Sequence, residues 1–107
     1  MPDTLPPHNI EAEQALLGAI LNNNEAYHRT AHLVTEETFF EPAHQTIYAA
    51  IARLIASNIK ADPLALKPKL PAALTEDMTM AQYVAKLCAE ATTVINAVDY
   101  AKALQDL

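Results

Sequence analysis

The chain has 107 residues, half of them apolar, with 21 alanines, one glycine, no tryptophan, a lone cysteine and a formal net charge of −6. That length suits one domain and the composition favours helices, while a single glycine excludes the phosphate loops G-x-x-x-x-G-K-[ST] and G-x-G-x-x-G, each of which needs at least two. Cys88 alone excludes an intrachain disulfide or a Cys-based zinc site, the scattered basic residues (Arg29, Arg53, Lys60, Lys67, Lys69, Lys86, Lys102) argue against tight DNA binding, and no apolar run reaches membrane-spanning length.

Residues 1–8 carry three prolines and predict an extended lead-in, with a helical domain from residue 9 to residue 107. Asn9 is placed to cap a first helix, whose first turn holds Glu11 and Glu13, the right sign for its dipole. Ile10, Leu16, Leu17, Ile20 and Leu21 form its apolar side. Gly18 sits mid-helix, where glycine costs about 1 kcal/mol against alanine. Close approach of another backbone, inside the domain or across an interface, would explain it. Asn22-Asn23-Asn24 stops this helix, and Asn24 can cap a second over residues 25–34, with Tyr27, Ala31 and Val34 on one face. Thr35-Glu36-Glu37-Thr38 predicts one capped turn that delivers Phe39-Phe40.

Pro42 fits the first turn of a third helix. Ile47, Ile51, Leu54 and Ile55 make it the clearest amphipathic segment and the expected central core helix. Asn58 can close it in a left-handed turn. Asp62-Pro63 opens another helix, but Pro68 costs about 3 kcal/mol in a regular one, so a short or broken helix and an irregular link follow. Thr79 and Gln82 form a capping box ahead of a fifth helix with Tyr83, Val84, Leu87, Cys88 and Ala91 as its stripe. Thr93 can cap a sixth, striped by Val94, Val98, Ala101 and Leu104, with Tyr100, Leu104 and Leu107 overlapping. No stop signal closes this last helix, the pattern expected of a fragment cut from a longer protein. The fold class is therefore all-α, a compact bundle of about six short helices. Its expected core is Leu17, Ile20, Leu21, Phe39, Ile47, Ile51, Leu54, Leu87 and Leu104.

Candidate chemistry is sparse, and no residue is assigned a catalytic, cofactor-binding or metal-binding role. His28 and His32 share a helix face at i, i+4, a spacing that could serve a small metal-dependent enzyme. They lack the Glu of H-E-x-x-H, and solvated histidines are the simpler account. Glu11 and Glu13 could form an acid–base pair, but carboxylates in a first helical turn also stabilise its dipole. Glu13 falls on the apolar side of the wheel, which favours a structural bond to nearby backbone or a histidine. Cys88 lies on the stripe of helix five, as an inert core thiol would. His44 is expected to lock the turn before the third helix through a loop carbonyl.

The opening run Leu5-Pro6-Pro7-His8-Asn9-Ile10-Glu11-Ala12-Glu13-Gln14-Ala15-Leu16-Leu17-Gly18-Ala19-Ile20-Leu21 resembles the start of bacterial replicative DNA helicases of the DnaB type. The similarity continues through Asn24-Glu25, Phe39-Phe40, His44, Ile47-Tyr48 and Ala61-Asp62. It resumes at Tyr83-Val84-Ala85-Lys86-Leu87, Asn96 and Tyr100-Ala101, in register without gaps. The resemblance implies an all-α N-terminal domain without catalytic activity. ATP and magnesium would belong to a separate motor domain of an ATP-dependent helicase. The family's N-terminal domains pair into a collar around a hexamer and dock primase, often through a helical hairpin that this chain would stop short of. A helicase loader is a further partner to test, and the setting is cytoplasmic. A standalone phage or plasmid regulator mimicking the domain is the alternative, separated by whether the reading frame continues into a Walker A motif.

Several positions depart from the family pattern. Thr79-Met80 replaces a usual Gly-Gly, and Ala81 stands where a large apolar residue often joins the contact between domains. A small residue there buries less, by about 1.5–3 kcal/mol, with Met80 as a compensating neighbour. Met80, Ala81, Tyr83 and Val84 are the candidate self-association surface, although a hydrophobic face can equally be plain core, the favoured reading for Tyr83 and Val84. Pro63, Pro68 and Pro71 interrupt a usually regular helix, and Asn58 replaces a favoured glycine.

Overall fold

A computed structural model of the chain describes residues 6–91 and 96–107. Among these, six α-helices follow one another: α1 (Ile10–Asn22), α2 (Glu25–Thr30), α3 (Pro42–Ala56), α4 (Pro63–Leu66), α5 (Met80–Glu90) and α6 (Ala97–Gln105). Single 3-10 turns stand at Glu36–Thr38 and Lys67–Lys69. The described residues form no strand, only one isolated antiparallel bridge between Ala73 and Thr79. The predicted all-α class is observed. Thr93 and Val94, expected to cap and stripe the last helix, lie outside the described residues.

The centre of the fold is α1, not α3 as its amphipathic pattern suggested. Every residue from Leu16 to Leu21 is buried, and α1 packs chiefly against α5 and α6 while also touching α2 and α3. A helix apolar on all sides belongs inside, whereas an amphipathic one keeps a wet face. Asn9 caps α1 as predicted, accepting from the Ala12 N–H at 3.1 Å. Gly18 marks the crossing with α5: a Cβ there would sit 2.5 Å from the Leu87 carbonyl oxygen and 3.0 Å from Ala91 Cβ. The close approach is thus inside the domain. Asn22 fastens the same crossing, its amide donating to Gly18 O at 3.1 Å and Cys88 O at 2.6 Å.

The second helix is shorter than predicted, ending at Thr30 and not Val34. Thr30 is buried and its hydroxyl donates back to Ala26 O at 2.7 Å, a bond that competes with continued helix. Asn24 does not cap it. Its side chain instead clamps Ala61, donating to Ala61 O at 2.8 Å and accepting from Ala61 N–H at 2.7 Å.

α3 closes as foreseen, with Asn58 at φ 60°. The Asn58 N–H reaches Ile55 O and the Ile59 N–H reaches Leu54 O, both at 2.9 Å, which is a Schellman closure. α4 begins at the Asp62 cap, whose carboxylate accepts from Ala65 N–H at 2.9 Å. It breaks after one turn, and Pro68 falls in the following 3-10 turn. The Thr79–Gln82 capping box forms at 3.0 and 2.9 Å. On α6 the buried stripe is Ala97, Ala101 and Leu104. Val98 is only half-buried and Leu107 is exposed, because alanines let α6 lie close to α1. All nine residues expected in the core are buried.

Candidate functional site

Three titratable side chains from three helices meet where α1, α3 and α5 converge. Glu13 lies in the first turn of α1 and is fully buried. Burying a carboxylate is costly unless it is richly hydrogen-bonded. Glu13 Oε2 accepts from the Phe40 N–H at 2.8 Å, and Oε1 accepts from the Glu41 N–H at 3.3 Å. Oε1 also lies 2.7 Å from His44 Nδ1. His44, fully buried in α3, places Nε2 2.6 Å from the Tyr83 hydroxyl of α5. The Gln14 amide completes the chain, donating to that hydroxyl at 3.2 Å. The His44 and Tyr83 rings lie 6° from parallel, and Phe39 meets His44 edge-on.

The direction of these bonds follows from counting donors. Gln14 already donates to the Tyr83 oxygen, so the phenol proton is free to go to His44. With a neutral imidazole that phenol proton meets a bare Nε2, and the imidazole proton sits on Nδ1, pointing at the Glu13 carboxylate. Among the described residues no buried side-chain nitrogen or oxygen lacks a partner. A carboxylate orienting an imidazole that faces a hydroxyl has the form of a nucleophile relay. Here the hydroxyl is a phenol whose pKa is raised, first by burial and further by Glu41, Glu13 and Glu90, although the Gln14 bond lowers it. That environment opposes the phenolate a nucleophile or base would require. The arrangement ties three helices together.

Glu13 therefore finds the histidine partner that its position on the wheel suggested. His44 does not take a loop carbonyl. The Gln45 amide donates to Phe39 O at 2.7 Å instead, leaving His44 to Glu13. The polar role of Tyr83 is not visible in the stripe of α5. A usable signal is that a buried imidazole needs two partners, and a half-buried tyrosine carries a hydroxyl able to supply one. Glu11 is exposed and takes no part.

The remaining candidates lie apart from this cluster. His28 and His32 are both exposed, and α2 ends before His32, so they do not share a helix face. Among the described residues no group of three or more His, Cys, Asp or Glu is placed to hold a metal ion. Cys88 is half-buried. The expected self-association surface divides: Met80 and Val84, at i and i+4 on one face of α5, are core residues at 3% and 0% exposure. Only Ala81 and Tyr83 reach the surface. Ala81 borders a groove of about 490 Å³ formed with Leu70, Pro71 and Ala72.

A family model described as DnaB-like helicase N terminal domain matches residues 5–106. The chain belongs to this family. The replicative DNA helicase DnaB of Rickettsia conorii is 41% identical over 111 residues, covering 98% of the chain and 22% of that protein. An alignment longer than the chain contains insertions, so the register is not gapless throughout. The Rickettsia typhi DnaB is 43% identical over 102 residues, covering 94% of the chain and 20% of that protein. The chain thus spans about a fifth of the length of these curated relatives. The crystal structure of the N-terminal domain of DnaB helicase from Mycobacterium tuberculosis superposes with a TM-score of 0.85 at 29% identity, covering 95% of this chain and 72% of that one. The Glu13–His44–Tyr83 junction is therefore an internal tie of a DnaB-like N-terminal domain.

Proposed function

We propose that this domain is a non-catalytic scaffold of a hexameric replicative helicase, supporting ring assembly and docking primase in the cytoplasm. The observation that carries this reading is the match over residues 5–106 to a helicase N-terminal domain. ATP and magnesium are then handled elsewhere in such a helicase, and a loader is a further partner. Among the described residues no helix is long and apolar enough to cross a membrane. Self-association would use Ala81 and the outer edge of Tyr83 beside the neighbouring groove, with Met80 and Val84 supporting them from beneath.

A chimera tests the reading directly. This chain replaces the corresponding segment of the Rickettsia conorii DnaB helicase. The expected result is a hexamer that still binds its primase. A chimera that folds but stays monomeric, or that loses primase binding as fully as a deletion does, contradicts the scaffold role. Alone, the small Ala81 contact should give a monomer or weak dimer in sedimentation, and labelled single-stranded DNA should bind only weakly.

A further inference from the structure

Charge is distributed very unevenly along this acidic chain. Residues 53–69 hold four of the seven basic residues (Arg53, Lys60, Lys67, Lys69) and one acid, Asp62. That stretch is net +3, while the rest of the chain is net −9. Asp62 spends its carboxylate capping α4. The fold then brings two of these cations to one place. Arg53 and Lys69 both line a cavity of about 160 Å³, together with Ala50, Leu54, Ser57 and Ile59. Both cations are exposed, and among the described residues neither makes an ion pair. Arg53 also borders a groove shared with Glu36 and Glu37, without pairing to either.

The cavity's apolar lining comes from Ala50, Leu54 and Ile59. Leu54 and Ala50 are buried, and Ile59 stands at the edge 49% exposed. The Schellman closure of α3 holds Ile59 there, through its N–H to Leu54 O at 2.9 Å. A cavity of this size suits one aliphatic side chain, since apolar cavities near 150 Å³ hold a benzene-sized group. An apolar lining under a cationic rim differs from a nucleic-acid groove, where cations track phosphates and aromatic rings stack bases. Acids more than a Debye length away, about 10 Å at moderate salt, act weakly, while Glu36 and Glu37 share a groove with Arg53.

We propose that this cavity docks an acidic segment of a partner protein, with one aliphatic side chain on the floor and flanking carboxylates on Arg53 and Lys69. Charge complementarity selects this occupant, and the proposal does not depend on the scaffold reading.

The test uses the whole chain and a labelled peptide of glutamates with leucine anchors. Fluorescence anisotropy at low salt should show binding that weakens about tenfold on doubling Arg53→Glu with Lys69→Glu, as expected for rim charges. Lys86→Glu with Lys102→Glu, on α5 and α6, should leave binding unchanged. The milder pair Arg53→Gln and Lys69→Gln should give a smaller loss, and serves if charge reversal unfolds the chain. A peptide with glutamines for glutamates should not bind. The proposal is overturned by absent peptide binding, by equal binding to the charge-reversed chain, or by a thymidine oligonucleotide that binds more tightly with the same sensitivity to Arg53 and Lys69.

Discussion

At the junction of α1, α3 and α5, side chains 31 and 39 residues apart in sequence meet at 2.7 and 2.6 Å. Between Asp62 and Met78, by contrast, side-chain bonds reach no further than three residues. The first region is cross-linked around the buried Glu13 and His44. The second is pinned by Leu66, fully buried, and leaves Leu64 82% exposed. Long-range bonds to a buried carboxylate fix how helices sit against one another, while local caps fix only where a turn begins. Pro63, Pro68 and Pro71 fall in the second region, where the helix breaks after one turn.

That contrast can be broken first at Glu13. Glu13→Ala strands the N–H groups of Phe40 and Glu41 and the Nδ1 proton of His44. Each donor left buried without an acceptor costs about 1–3 kcal/mol, so urea unfolding should show a loss of about 3 kcal/mol or more, and a loss below about 1 kcal/mol would make the junction incidental. Gly18→Ala comes next. Its methyl would meet the Leu87 carbonyl, which is backbone and cannot swing aside. Overpacking of about 1–3 kcal/mol should outweigh a propensity gain of at most about 1, so the melting temperature should fall.

Alkaline stability gives a third test. Burial, aided by Tyr27, pushes the Tyr48 phenol up from 10.0 to about 12. Its folded pKa is raised, so its contribution is complete below pH 10 and is lost as pH rises towards 12. The loss should approach about 2 kcal/mol, and Tyr48→Phe should flatten that limb of the stability curve. The raised Tyr83 pKa acts with the same sign. The smallest effect belongs to the locally held region's edge: Thr79→Ala removes a cap and should cost about 1 kcal/mol, measured by the same unfolding assay.

The same contrast explains what could be read without the structure. Caps at Asn9, Asp62 and Thr79, the left-handed Asn58 and the broken helix at Pro68 are local, and each is legible at a spacing of a few residues. Eight of the nine core positions follow from helical periodicity, and Phe39 from the turn that delivers it. Asn24 was legible as polar and helix-stopping, yet its partner Ala61 lies 37 residues away. Glu13 on an apolar wheel face points to a buried bond, but its pairing with His44 spans 31 residues and has no local signal. Tyr83 and Val84 read as surface or core from their stripe, because periodicity shows a shared face and not what covers it.

The central claim is that Glu13, His44 and Tyr83 form one directed chain of hydrogen bonds tying three helices. Nitrogen NMR of the His44 imidazole tests it most directly. At neutral pH the account predicts a protonated Nδ1 and a bare, hydrogen-bond-accepting Nε2, with the Nε2 signal shifting in Tyr83→Phe. A proton on Nε2, or no response to loss of the phenol, would contradict it.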